Sequence, residues 1–486
     1  MRNFLRRFPI HTFLFIPSIV LFLFAHNFNY VKAHMVIRTL LWGTGICVAL
    51  FLFFRLFLKN NTKTGVFITL VLLGFFNYGV VYEWMENSYY AGSWPFHNIH
   101  RYLICIYLAY FTVILIVLIR LKKDLSSFNF FLNGLVGFLL VYNFADIIVL
   151  SCREKPVVAS ASKTVVNSKP SAELPDIYII ILDGYANGNV LKKYYNYDNT
   201  PFLNHLKEKG FYVADSSFAN YYYTSASLAS SLNLDYPAPD AQQHTLIKSN
   251  TLFRELKSRG YEIINLKSGY SVTSEFDDAD YTIPLAGPNE FERTIMKYTI
   301  LRLDDLLGLF SYMRLTNQFA RIDWVFQYKA RPKCCFLHIV APHPPFVMNK
   351  NGSFRINKSY TENSWEPKQS YLDQLTYLNT RIEFFADKIL EQSAGRPPII
   401  SIQSDHGPWI RSNNPDEIAQ ARMMILNAAY VPENKRRRFY PAISSVNTFR
   451  ILSDSSLNAT VKLLPDLKPG EKALRKDPSF TKRITP

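Results

Sequence analysis

Ile399-Ile400-Ser401-Ile402-Gln403-Ser404-Asp405-His406-Gly407 is the stretch that decides how this chain is read. An apolar run follows Pro397-Pro398 and stops abruptly at Ser404, as a buried strand does when it leaves a sheet. In open α/β sheets ligands bind beyond the carboxyl ends of the strands, so Asp405 and His406 stand where a site would be built. They are adjacent, an oxygen ligand beside a nitrogen ligand. Gly407 allows a sharp turn or a close approach of backbone. Asp-His-Gly alone is also an ordinary turn. Its weight comes from partners far upstream.

The chain has 486 residues, 49% of them hydrophobic and 15% aromatic, with a formal net charge of +16. Mean hydropathy is close to zero, but the average hides a division. Residues up to about 151 are strongly apolar, and the rest has the composition of a soluble α/β protein. No nucleic-acid-binding signature accompanies the positive charge. Lysines and arginines beside membrane spans account for it better. Of the five cysteines, Cys47 and Cys105 lie in apolar runs, Cys152 follows the last of these, and Cys334-Cys335 open an apolar strand. Their spacing gives neither a disulfide framework nor a zinc finger.

A membrane span needs about 20 mostly apolar residues. Five stretches qualify, near residues 9–25, 37–58, 66–84, 102–121 and 130–150. Arg2, Arg6 and Arg7 precede the first. Arg55, Lys59 and Lys63 surround the turn between the second and third, and Arg120, Lys122 and Lys123 follow the fourth. These clusters share one side, which the positive-inside rule assigns to the cytoplasm. Everything after residue 150 is then expected outside. The aromatic loop 83–100 lies on that outer face and reads as an interfacial belt, or alternatively as a lipid-facing platform. Asp146 lies near the outer end of the fifth stretch. Residues 152–174 are rich in Ser, Ala, Lys and Pro and read as a tether. Residues 464–486 read as a basic tail.

Between them strands and helices alternate. Residues 176–182 form a continuous apolar run, as expected for a parallel strand covered on both faces. Residues 200–210 read as a helix capped by Thr200, with Pro201 in the first turn and Gly210 at the end. Residues 251–260 repeat that plan. Residues 336–340 and 399–402 are further core strands, with helical spacing over 371–392. The expectation is an all-α N-terminal bundle of five transmembrane helices followed by a soluble α/β domain, 175–463, with a mostly parallel central sheet.

Three further positions carry chemistry. Asp183 follows the first core strand directly, so two carboxylates and a histidine from different strand ends make a plausible divalent-cation site. Thr224, in Tyr223-Thr224-Ser225-Ala226, stands at the start of a helix, where free amides favour a phosphate. Contact with a cation would make its hydroxyl a competent nucleophile; a simple helix cap is the bland alternative. His343, in Ala341-Pro342-His343-Pro344-Pro345-Phe346, sits on a proline-stiffened loop after a core strand, suited to a hydrogen bond with a phosphoryl oxygen or leaving group. His338, within that strand, reads as a core histidine.

Leu182-Asp183-Gly184, Thr224 at a helix start, Pro342-His343-Pro344-Pro345-Phe346 and Ser404-Asp405-His406-Gly407, in that order, resemble the sulfatase-like branch of the alkaline phosphatase superfamily. The spans resemble its membrane members, the phosphoethanolamine transferases and lipoteichoic acid synthases. Val446-Asn447-Thr448-Phe449-Arg450 is similar to the family's closing region. The resemblance implies an alkaline phosphatase/sulfatase-like fold and one divalent metal ion, zinc or alternatively manganese, held by Asp183, Thr224, Asp405 and His406. It implies Thr224 as nucleophile and His343 as a substrate contact. A phospholipid would donate its headgroup, phosphoethanolamine or phosphoglycerol, and an envelope glycan or lipid would accept it. The multi-pass anchor would sit in the cell (inner) membrane with the catalytic domain periplasmic or extracellular. The Cys-x-Pro-x-Arg pattern of formylglycine sulfatases is missing, which argues against sulfate-ester hydrolysis. Asp183 stands where the membrane transferases often have Glu, nearer the phosphodiesterase side of the superfamily. A hydrolase with water as acceptor, or a non-catalytic tethered domain, are the alternatives.

Overall fold

The computed structural model places strand β1 (Ile177–Leu182) at the middle of a seven-stranded sheet. It describes residues 2–28, 31–90, 99–153, 174–237, 242–302, 307–329, 332–356, 365–393, 395–457 and 461–466. Most of the expected tether and tail, and residues 91–98 of the aromatic loop, lie outside these.

The other strands are β2 (Tyr212–Val213), β3 (Glu262–Leu266), β4 (Tyr281–Ile283), β5 (Lys333–Ile339), β6 (Ile399–Ser404) and β7 (Asn427–Tyr430). Their order is β2-β7-β6-β1-β5-β3-β4. β1 pairs in parallel with β5 and β6, and β3 in parallel with β4 and β5. β7 runs antiparallel to both β6 and β2. The sheet is therefore mostly parallel, as the alternation of elements predicts.

All six residues of β1 are buried. Successive side chains point to opposite faces. Tyr178, Ile180 and Leu182 join one core with Leu337, Ile339, Ile400 and Ile402. Ile177, Ile179 and Ile181 join the other with Phe336, Ile399 and Phe253. Burial on both faces explains the unbroken apolar run. Each fully buried Ile or Leu contributes roughly 1.5–3 kcal/mol.

Register sets the site. Leu182 pairs with Ser404 on one side and with Ile339 on the other. The next residue of β1 is thereby level with Asp405. The surrounding helices start and stop as their sequences dictate, with one correction. Thr200 does not cap its helix. It is the first residue of Thr200–Glu208, behind Asn199, and its amide is taken by Asp198 Oδ1 at 3.0 Å. In the copy that follows, the Asn250 side chain caps Thr251–Ser258 by accepting from the Phe253 amide. Gly210 and Gly260 end these helices at φ +93 and +88, in the region that favours glycine.

The chain divides into two compact units, Met1–Pro156 with Pro288–Asp305 and Val157–Gly287 with Leu306–Pro486. In the first, α1 (Arg2–Arg7) and α2 (Ile10–His26) are followed by α3 (Ala33–Leu58), α4 (Asn61–Tyr90), α5 (Ile99–Arg120) and α6 (Ser126–Arg153). Among the described residues, α3 to α6 are long and apolar enough to cross a membrane, whereas α2 is a shorter apolar helix. Pro9 separates α1 from α2, whose 17 residues rise about 25 Å against a hydrocarbon core of about 30 Å. His11 on this helix is buried and paired: its ring bonds Thr69 and Asn129, and its amide donates to Asn133. The later helix Glu290–Tyr298 belongs to this unit, with Phe291 and Ile295 buried among residues of α2 to α4 and Glu292 paired with Arg38.

Candidate active site

The carboxyl ends of β1 and β6 supply the first three groups. Asp183, Asp405 and His406 offer one ligand atom each, and these atoms lie within 4.8 Å of one another. All three residues are buried. Backbone contacts hold the turns. The Asp183 amide donates to the Ile339 carbonyl. Ser404 Oγ accepts from the Tyr185 amide at 2.9 Å and donates to the His406 carbonyl at 2.6 Å. Asp405 Oδ1 accepts from the amides of Gly184 and His406 at 3.2 and 2.9 Å.

Two glycines are required by this geometry. Gly184 has φ +77, and a Cβ there would come within 2.5 Å of the Trp365 ring. A Cβ on Gly407 would come within 2.2 Å of the Ala421 carbonyl oxygen.

The donor set fits a divalent cation. Asp183 Oδ1 and Asp405 Oδ2 are buried and lack hydrogen-bond partners. His406 donates from Nδ1 to the Gly407 carbonyl at 3.1 Å, which makes Nε2 the acceptor nitrogen of the ring and directs its lone pair into the site. That nitrogen lies 3.4 Å from Asp183 Oδ1 and 3.5 Å from Asp405 Oδ2. Buried oxygens facing one imidazole nitrogen at that spacing are what a metal ion needs and what an empty core avoids.

Electrostatics point the same way. Burial raises the Asp405 carboxyl, and the Asp183 charge adds to this, to about 7. Burial would also raise Asp183, but His343, His338 and His406 outweigh it and hold this carboxyl below the usual range. Burial pushes His406 well down, so its imidazole is neutral and able to ligate.

Thr224 reaches the cluster from another element. It is the first residue of the helix Thr224–Asn233, behind Tyr223, whose side chain makes no capping bond. Thr224 Oγ1 donates to His406 Nε2 at 3.2 Å. The hydroxyl points into the site and does not serve as a helix cap. His343 arrives on the proline-flanked loop after β5. Its amide donates to the Asp183 carbonyl at 3.0 Å, and its ring lies 6.1 Å from that of His406. Nδ1 donates to the Pro344 carbonyl at 2.8 Å, and Trp365 packs edge-on against the ring. Burial lowers its pKa. All five residues expected from the sequence therefore meet in one place.

Two neighbours were not expected there. His338 is fully buried, bonded through Nδ1 to Thr273 Oγ1 at 2.7 Å, with Nε2 3.6 Å from Asp183 Oδ2. It belongs to the site's surroundings as well as to the core, and its position one residue before the end of a central strand was the available signal. Arg422, from the helix Pro415–Met423, brings Nη2 to 3.0 Å from His406 Nε2. Nothing in its local sequence marks it.

The model of the sulfatase family matches residues 175–456, more than half of the chain. No curated protein sequence is significantly similar to the chain. Among solved structures, it is similar to the C-terminal periplasmic domain of EcEptC from Escherichia coli, at 14% identity and a TM-score of 0.42, covering 59% of this chain and 84% of that one. It is similar to the integral membrane lipooligosaccharide phosphoethanolamine transferase A (EptA) from Neisseria meningitidis, at 13% identity and a TM-score of 0.41, covering 74% and 70%. It is also similar to the phosphonate monoester hydrolase of Agrobacterium radiobacter, at 14% identity and a TM-score of 0.39, covering 58% and 73%. The family match over the whole α/β domain decides the assignment: the chain belongs to the sulfatase family, the sulfatase-like branch of the alkaline phosphatase superfamily, and is an enzyme.

Proposed function

We propose that this enzyme is a membrane-anchored phosphotransferase that moves a phospholipid headgroup, phosphoethanolamine or phosphoglycerol, onto an envelope glycan or lipid through a phosphothreonine intermediate. The observation that carries this reading is the Thr224 hydroxyl at a helix N-terminus, 3.2 Å from a histidine nitrogen that faces two buried carboxylates. Asp183, Thr224, Asp405 and His406 would hold one divalent ion, zinc by preference for a mixed carboxylate and imidazole set, with manganese as the alternative. When bound, such an ion supplies a lowered hydroxyl pKa and compensation for phosphoryl charge.

The chain's own residues do the rest. Thr224 Oγ1 forms the bond to phosphorus as the phosphorus–oxygen bond to diacylglycerol breaks. The threonine gives up one proton and the departing diacylglycerol oxygen takes one. In the second half the acceptor hydroxyl oxygen bonds to phosphorus as the bond from Thr224 Oγ1 to phosphorus breaks; the acceptor loses one proton and Thr224 regains one. His343 contacts a phosphoryl oxygen or the leaving group. The amides of the first helical turn face the anion.

The anchor fits a lipid donor. In this reading residues 1–151 form five spans in the cell (inner) membrane with the N-terminus cytoplasmic. Residues 175–463 form the catalytic domain on the periplasmic or extracellular side. The basic clusters between the spans support that orientation.

The test is product analysis with full-length protein in detergent, zinc, and vesicles of phosphatidylethanolamine or phosphatidylglycerol. Diacylglycerol release with the headgroup recovered on an added glycolipid supports the transferase. Release of free headgroup to water alone points to a hydrolase of the same family. No turnover with either lipid, in zinc-loaded protein, discards the reading.

A further inference from the structure

Arg422 is 3% exposed and lies in the last turn of the helix Pro415–Met423. Its guanidinium is fixed. Nε donates to the Tyr222 carbonyl at 2.8 Å and Nη1 to the Gly407 carbonyl at 2.7 Å. Trp409 and Trp365 lie against it, with ring centroids 4.8 and 5.6 Å from Cζ. Both carbonyls belong to the turns that carry site groups, two residues before Thr224 and one after His406. The arginine plane is therefore referenced to the nucleophile and to the ligand. Nη2 lies at the cluster, 3.0 Å from the same His406 Nε2 that Thr224 Oγ1 reaches at 3.2 Å.

That placement is unusual for a residue with only a structural role. A guanidinium stays protonated at any physiological pH, and burying it is costly. Here its charge sits beside the same imidazole nitrogen that the Thr224 hydroxyl reaches. Charges add up in the same direction. Two ionised carboxylates balance one divalent cation, and Arg422 adds a further positive charge that a phosphodiester or phosphate would compensate.

We propose that Arg422 is the anion-recognition residue of this site and holds a non-bridging phosphoryl oxygen through Nη2. The inference rests on the phosphotransfer reading above. Ligation at His406 Nε2 uses that nitrogen's single lone pair. The Nη2 hydrogen then turns from the imidazole to a phosphoryl oxygen over Thr224. A charge-assisted bond of this kind, preformed and shielded by two indoles, is worth more than the same bond in water. Arginine suits the place better than lysine, because two donors anchor the fork while the third nitrogen reaches substrate.

The test uses full-length, zinc-loaded protein in detergent with inorganic phosphate as the probe. Wild type, Arg422→Lys and Arg422→Gln are compared for zinc content by mass spectrometry and for phosphate affinity by calorimetry. Both variants are expected to keep their zinc and to bind phosphate about 10- to 100-fold more weakly, the order expected for one hydrogen bond between charged groups. Unchanged affinity in zinc-replete variants overturns the proposal. So does loss of zinc in both, which would make Arg422 a support for His406, and so does undetectable phosphate binding by wild type. If the Gln variant does not fold, the Lys variant decides. The underlying reading is judged separately on wild type. A phosphothreonine adduct together with unchanged phosphate affinity in the variants discards the Arg422 role and keeps the reading. Absence of the adduct discards both.

Discussion

Asp183 Oδ2 lies 3.6 Å from His338 Nε2, and both residues are buried. The two come from neighbouring parallel strands. His338 is oriented from behind by Thr273 Oγ1, which in turn bonds Ser268 Oγ at 2.8 Å. The imidazole thus backs a carboxylate whose other oxygen faces His406. Groups behind a ligand fix its direction, and their removal typically costs about 10- to 100-fold in metal affinity. His338→Ala is expected to weaken zinc binding by that order, measured by competition with a chelator. Unchanged zinc affinity would return His338 to a purely packing role.

Metal binding should be coupled to a proton on Asp405. Its carboxyl is raised to about 7, so below that pH the metal-free protein holds a proton there. Ligation requires the carboxylate, so the proton must leave. Zinc affinity is expected to rise with pH up to about 7 and then level off, because His406 is already neutral. Calorimetry at pH 6 in buffers of different ionisation enthalpy should show proton release, shrinking towards pH 8. A pH-independent affinity would contradict this account of the carboxylate pair.

Gly407→Ala tests the turn directly. The added methyl would meet the Ala421 carbonyl oxygen at 2.2 Å, and that atom is backbone. The Gly407 amide also donates to the Arg422 carbonyl at 2.6 Å, so the two segments cannot separate freely. The variant is expected to lose about 1–3 kcal/mol of stability and to misplace His406, seen as a lower midpoint in thermal unfolding together with weaker zinc binding. Wild-type values in both would show that the turn relaxes without consequence.

The sequence carried the central strands of the sheet and most of the site for a physical reason. A central parallel strand is apolar on both faces, so 176–182 and 399–402 stand out, and the polar residues that follow them are at strand ends. Register does the remainder by bringing Asp183 level with Asp405. His338 is the core histidine that its place inside β5 implies, but alternation along the strand gives its face and not its approach to Asp183. Arg422 was invisible because its approach depends on how the helix Pro415–Met423 folds back onto Gly407. In the apolar half, overall apolarity does not reveal that α2 is short. Nor does composition show that Glu290–Tyr298, an ordinary amphipathic helix by sequence, joins the first unit.

The central claim is that Thr224 carries the phosphoryl group. The most direct measurement is intact mass spectrometry of the full-length, zinc-loaded protein after incubation with phosphatidylethanolamine or phosphatidylglycerol, beside Thr224→Ala. The account predicts a mass gain equal to the phospho-headgroup on wild type, located at Thr224 by fragmentation, and none on the variant. Headgroup transfer without any adduct on wild type, or the same adduct on Thr224→Ala, would contradict it.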